Sequence, residues 1–162
     1  MSIKLNNLLS AEVVLHNQRM LSSFEHWTKR KLLQLEGPPV EMSEALFEAP
    51  FAVVSHGIES DPIFKYGNRK ALELFEMSWE DFTKMPSRNS AEPMHRDERA
   101  KFMEQVTKNG FVDDYEGIRV SNTGRRFLIS NAVVWNVLDE KGKYCGQAAM
   151  FAKWEYLSPE II

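Results

Sequence analysis

Cysteine is almost absent from this chain. Cys145 is the only one in 162 residues, which excludes an internal disulfide and a cysteine-based zinc cluster. Long apolar runs are missing too. None approaches the ~20 residues that span a bilayer, and Met1 to Leu5 lack the apolar core and cleavage site of a signal peptide. A cytoplasmic location with no membrane partner is expected. Positive charge is in short supply: 20 Lys and Arg stand against 23 Asp and Glu, for a net charge of −3. That argues against nucleic acid as a partner. There is no internal repeat, low-complexity tract or linker. What is present is a chain of one-domain length (~100–200 residues). It is 43% hydrophobic with ten Phe and four Trp, enough for a real core.

The strongest pattern lies between Phe111 and Trp154 and predicts three consecutive antiparallel strands. From Arg125 to Asp139 the odd positions Phe127, Ile129, Val133, Trp135 and Val137 are apolar, with Asn131 the polar exception. This is the period-two signal of a strand with one apolar face. Ser121-Asn122-Thr123-Gly124 before it and Asp139-Glu140-Lys141-Gly142 after it carry the residues that hairpin turns favour. The strand before it, Phe111 to Ser121, changes phase near Gly117, as a bulge there would make it do. The last strand, Tyr144 to Trp154, is apolar on both sides, so both sides are expected to be covered at least in part.

Upstream, Ser10 is the expected N-cap of a helix from Ala11 to about Leu35 with an apolar stripe that includes Met20, Phe24 and Trp27. Gly37-Pro38-Pro39 ends it. His16 and His26 are too far apart on it to share a metal, and both are expected to face solvent. A turn of helix over Met42–Phe47 leads to short strands over Phe51–His56 and Ile63–Tyr66. Gly67-Asn68 then caps a helix from Arg69 to Glu76. Ser78-Trp79-Glu80-Asp81 is a capping-box pattern opening another short helix. Pro86 to Pro93 is polar and irregular, and His95 to Lys108 is helical with Asn109-Gly110 as its stop.

The order of helix, two strands, several short helices and three strands is that of a PAS domain. Ile63-Phe64-Lys65-Tyr66-Gly67-Asn68-Arg69-Lys70-Ala71-Leu72 resembles the PAS segment in which the second strand ends in Asn and enters a helix. Asn122-Thr123-Gly124-Arg125-Arg126-Phe127 is similar to the turn before the long PAS strand. More narrowly, the chain resembles the MEKHLA family, a PAS-like group, through Ala49-Pro50-Phe51-Ala52-Val53-Val54-Ser55-His56-Gly57, Asp61-Pro62-Ile63-Phe64, Pro86-Ser87-Arg88, Ser90-Ala91-Glu92-Pro93 and Gly146-Gln147-Ala148-Ala149. The resemblance implies an α+β fold: a five-stranded antiparallel sheet with short helices on one face and the N-terminal helix on the other. It divides the chain into a helical extension, residues 1–40, and a PAS-like domain, residues 41–158.

The function it implies is that of a sensory or interaction module without catalysis, acting on a protein partner or on a second copy of itself. The expected contact surface comprises Met20, Phe24, Trp27, Leu128, Val134 and Phe151. The alternative is a sensor of flavin, haem or another apolar ligand, held between sheet and helices by Phe51, Val53, Phe75, Phe82, Asn89, Met103, Ile129 and Trp135. No cofactor is named by these residues. Arg88-Asn89-Ser90 resembles the Asn-Cys stretch of flavin-binding PAS domains, but Ser90 stands where their reactive cysteine would be, and a hydroxyl is a far weaker nucleophile than a thiol at neutral pH. Ile129 falls where such domains place a polar residue on the long strand. Gln147, beside the position of their last-strand glutamine, is expected to face away. His95 is the candidate haem ligand, and His56 reads as a core or rim histidine. Ser55 and His56 point to opposite faces of a strand and form no nucleophile–base pair. The carboxylates Asp113, Asp114 and Glu116, and Asp97, Glu98 and Glu104, read as a solvated edge. Cys145 reads as an inert buried thiol.

Overall fold

The fold is seen in a computed structural model that describes residues 9–91 and 96–158. Helix α1, Ala11–Thr28, starts where Ser10 Oγ accepts the Val13 N–H at 3.3 Å, the usual N-cap arrangement. It stops at Thr28, well short of the expected Leu35. The Thr28 hydroxyl donates back to Phe24 O at 2.8 Å and accepts the Arg30 N–H at 3.1 Å, and Lys29 turns left-handed with φ of 61°. Those two bonds close the helix locally, which no apolar periodicity records. The proline pair does not stop α1 but opens α2, Pro39–Phe47, since proline suits the first helical turn.

Strands β1, Ala52–His56, and β2, Phe64–Gly67, follow, then α3, Arg69–Phe75, and α4, Trp79–Phe82. Asn68 joins these pieces. Its Oδ1 accepts the N–H groups of Ala71 and Val53, and its Nδ2 donates to Leu46 O and Phe51 O. One buried side chain thus caps α3 and ties it to β1 and to the end of α2. A 3-10 turn, Ser87–Ser90, precedes α5, Arg96–Asn109. Gly110 ends α5 at φ of 97°, and a Cβ there would lie 2.5 Å from the Trp27 ring. Only glycine meets both demands.

The rest is sheet: β3, Phe111–Val120; β4, Arg126–Leu138; β5, Tyr144–Phe151; and β6, Lys153–Tyr156. All pairings are antiparallel, in the order β2-β1-β5-β4-β3, with β6 also on β4. The sheet has six strands, not the expected five, because the last strand divides at Ala152. The two parts keep one register along β4: Val133 pairs with Met150 and Ser130 with Lys153.

Asn131, at φ of 54°, lies between those two stretches of β4. It shifts the strand's phase. Phe127 packs edge-on against Phe75 of α3, centroids 5.4 Å apart, whereas Trp135 packs on Phe24 of α1 at 5.0 Å. The five odd-numbered apolar residues of β4 therefore divide between two faces and do not share one. All five are buried. On the partner strand the register shifts between Val112 and Tyr115 and again between Tyr115 and Gly117, the second shift falling at the expected bulge.

Helix α1 covers one face of the sheet. The Trp135 indole donates to Met20 O at 3.1 Å and the Trp27 indole to Asn136 O at 2.9 Å, fixing helix to strand at two levels. The short helices and α5 cover the other face. Among the described residues no helix is long and apolar enough to cross a membrane.

Candidate functional site

The space between the sheet and the short helices is where a ligand would sit, and it is nearly full. A cavity of about 40 Å3 remains. That is room for a few water molecules, one needing ~10–15 Å3 on this measure, against ~300–1,000 Å3 for a ligand site. Its apolar wall includes Phe64 of β2, Phe75 of α3, Met103 of α5, Ile129 and Val134 of β4 and Phe151 of β5. Polar residues line it as well: Ser55, Ser90 and Tyr115, and the longer side chains of His56, Arg119 and Gln147.

Each polar group has identified partners. Gln147 Nε2 donates to Met103 O at 3.2 Å, Thr107 Oγ1 at 3.1 Å and Asn136 Oδ1 at 3.1 Å. Asn136 Nδ2 donates to Val106 O at 2.9 Å. Two neighbouring strand amides thereby hold the last turns of α5. His56 Nδ1 lies 3.0 Å from Gly57 O; a carbonyl only accepts, so Nδ1 carries the proton. Arg119 donates Nη2 to the Tyr115 hydroxyl at 2.9 Å and Nη1 to Ile118 O at 3.1 Å. Gly146 lets β5 approach β1: at its φ of 143° a Cβ would come 2.2 Å from His56 O.

Of the residues expected to line a pocket, Phe75, Met103 and Ile129 meet at this cavity. The others do not. Trp135 lies on the α1 face, because Asn131 reverses the phase of β4. Val53 is cross-strand to Met150, which in turn pairs with Val133, and so falls on the Trp135 side. Asn89 is exposed, turned outward by the 3-10 turn. Phe82 stacks on Phe64 at 4.2 Å, behind the wall. Phe51 is half-buried one residue before β1.

The expected contact surface is likewise divided. Met20 and Phe24 are buried under the chain's own α1, Trp27 is half-buried against Gly110, and Val134 and Phe151 face the cavity. Leu128 alone of the sheet residues lines a surface groove. Sequence reasoning missed Arg119, His56 and Gln147 as cavity residues. Gln147 was expected to face away because the glutamine position was placed at Ala148, one residue on; in the structure Gln147 itself lines the cavity with Ala149 and Phe151. His95, the candidate haem ligand, lies outside the described residues.

Flavin does not fit this interior. The volume is too small, Ser90 Oγ donates to Ser87 O at 2.7 Å rather than into the cavity, and Ile129 offers no hydrogen bond to a ring edge. The same volume leaves no room for haem. His16, expected in solvent, is buried, with Nε2 2.7 Å from Ser55 Oγ. Burial, helped by the charges of Lys65 and Arg19, lowers its pKa from 6.5 to about 4. This Ser–His pair is an unpromising catalytic dyad: both residues are buried, and so weak a base gains little from its neighbour. It ties α1 to β1. Cys145 donates to Val137 O, and burial raises its thiol pKa, which disfavours the reactive thiolate.

Sheet order, the flanking short helices and the site between them define a PAS-like fold. The MEKHLA domain model matches residues 14–156, and the chain belongs to that family. It is similar to the homeobox-leucine zipper protein HOX29 of Oryza sativa subsp. indica, 23% identical over 116 residues, which make up 70% of this chain and 13% of the relative. The chain thus spans a small fraction of the curated relative it matches. Among solved structures it resembles a PAS domain of a protein from Colwellia psychrerythraea, with TM-score 0.60, 15% identity, and coverage of 68% of this chain and 92% of that one. An RNA-binding light-oxygen-voltage receptor gives TM-score 0.62 and 14% identity over 76% of this chain and 36% of that one. The photo-excited blue-light photoreceptor Vivid gives TM-score 0.58 and 16% identity over 83% and 94%. Likeness at these identities shows the fold alone.

Proposed function

We propose that this PAS-like module acts by contact with another protein and not through a chromophore or small ligand held inside it. What supports the reading is the filled interior, about 40 Å3 where a ligand would need several hundred. Light sensing, named for some structural neighbours, is not carried over, since no flavin-sized space stands behind Ser90. The output is non-catalytic. Contact then falls to the outer surface, where Leu15, Leu35 and Val40 are exposed beside α1 and α2. Sedimentation of the whole chain would separate a second copy from a different protein as the partner.

A second reading, sensing of a small ligand, is favoured by one observation: His56, Arg119 and Gln147 all reach a single cavity. Native mass spectrometry of freshly purified protein separates the two. The contact reading expects a colourless protein at the mass of the bare chain. A stoichiometric bound mass, or visible colour, overturns it.

A further inference from the structure

One strand residue holds helices on both faces of the sheet. The buried Asn136 of β4 donates Nδ2 to Val106 O at 2.9 Å and to Thr107 O at 3.3 Å, in the last turn of α5. Its backbone N–H donates to the carbonyl of Gly110, the residue that ends α5, at 2.9 Å. Its own carbonyl accepts the Trp27 indole N–H of α1, also at 2.9 Å. The Trp27 ring lies so close over Gly110 that a Cβ there would come within 2.5 Å of it. The end of α5 and the end of α1 therefore share two partners, Asn136 and Gly110.

The two helices are not held equally. Helix α1 buries Val14, Met20 and Phe24. Among the described side chains of α5, Val106 alone is buried, with Phe102 and Met103 half-buried. A helix with so little buried apolar contact belongs to the low end of local stability. Hydrogen bonds to Asn136 and Gln147 then decide whether its last turn stays down, and each is worth little net of what water would supply.

We propose that the last turn of α5, Val106 to Asn109, is a moving part that docks on Asn136 and leaves it, and that Trp27 carries its position to the last turn of α1. When the turn lifts, Gly110 shifts beneath the indole, and the Asn136 residue that holds the indole loses its bonds to α5. The linkage runs both ways, as any coupling of two equilibria must: holding Trp27 down holds α5 down. It goes beyond the contact reading, because it joins α1, beside which Leu15 and Leu35 are exposed, to α5, whose Met103 lines the interior cavity. Two helices anchored to β4 independently of each other would show no such linkage.

The test is hydrogen exchange of the intact chain, followed by NMR at single amides and at the Trp27 indole. Thr107→Val removes the hydroxyl that accepts from Gln147, at an exposed position where the fold tolerates the change. Amides over residues 106–110 should exchange about threefold to tenfold faster, the worth of one neutral hydrogen bond. The Trp27 indole N–H should quicken with them, by about twofold or more, while the amides of Val14 to Arg19 at the other end of α1 keep their rates. In the reverse direction, Trp27→Phe keeps a ring over Gly110 but loses the indole donor, and should quicken the Gly110 N–H, which donates to Val106 O. His16→Gln, at the far end of α1, should leave α5 unchanged. An unaltered Trp27 indole in Thr107→Val, or equal quickening along the whole of α1, would overturn the proposal. So would an α5 that ignores Trp27→Phe, or one that responds as strongly to His16→Gln. If Trp27→Phe fails to fold, Thr107→Val decides alone. No partner or ligand enters these measurements, so their failure leaves the contact reading standing, and a bound mass that removes that reading leaves the linkage intact.

Discussion

The two faces of the sheet are built differently. Under α1 the contact is aromatic and closely packed: Phe24 meets Trp135 edge-on, Met20 is fully buried, and the two indoles donate to backbone carbonyls. Under the short helices the contact is mixed. Arg119, His56 and Gln147 interrupt the apolar wall, and a small void remains. Burying polar groups is costly unless their hydrogen bonds are met, and these are met mainly by α5 and by backbone. The α1 face buries polar groups too, His16 on Ser55 and Ser23 on the Leu138 backbone, so the contrast lies in the aromatic packing of one face and the void in the other.

The sharpest way to break this contrast is Phe24→Ala. Deleting a buried ring should cost about 3–5 kcal/mol, read as a lower urea midpoint at unchanged slope. A loss under about 1 kcal/mol would mean that α1 is not part of the core, and the contrast would fall.

His16 gives the next largest effect, and its sign is fixed. Its folded pKa of about 4 lies below the ordinary histidine value of 6.5, so the unfolded chain takes up the proton first. The stability that goes with neutral His16 is fully present above about pH 6.5 and is lost as pH falls through about 4. By then the loss is on the order of 3 kcal/mol. Urea unfolding at pH 7 and pH 4, for wild type and His16→Gln, isolates it: the variant should lose less stability than the parent over that range. Equal pH slopes would show that His16 titrates normally.

On the mixed face, Gln147→Ala removes the amide that holds Met103 O and Thr107. It should cost about 1–3 kcal/mol and speed hydrogen exchange in α5 more than in α1. Uniform acceleration of both helices would show global loosening instead, and the idea that these amides anchor α5 would fail.

Local signals were legible in the sequence because their causes are local. Ser10, Asn68 and Ser78 each accept the N–H three residues on, as their positions ahead of apolar periods suggested. The hairpin turns fell where Asn, Asp and Gly cluster. The failures on β4 share one origin. Asn131 had shown itself only as a polar residue in an apolar series, yet its left-handed backbone turns β4 over. That single φ put Trp135 on the α1 face and Val134 at the cavity, the reverse of what strict alternation predicts. His16 was misread for a related reason: helical periodicity tells which face a residue is on, but not that a serine on a distant strand will meet it.

The smallest expected effect is the most discriminating, because it places the same chemical change on each face. Val134→Ile adds one methylene beside a void of about 40 Å3, and should alter stability by less than about 1 kcal/mol in either direction. Val137→Ile adds one to a fully buried position on the Trp135 side, where no slack is available, and should cost about 1–3 kcal/mol. Chemical denaturation of the two variants, measured side by side, compares the faces without altering polarity, charge or hydrogen bonding. If Val134→Ile proves as costly as Val137→Ile, the void is not usable space, and both faces are equally rigid. If it is tolerated as expected, any motion of α5 against the sheet has room to begin at Val134, beneath the groove wall that Tyr115 and Arg119 share with the cavity.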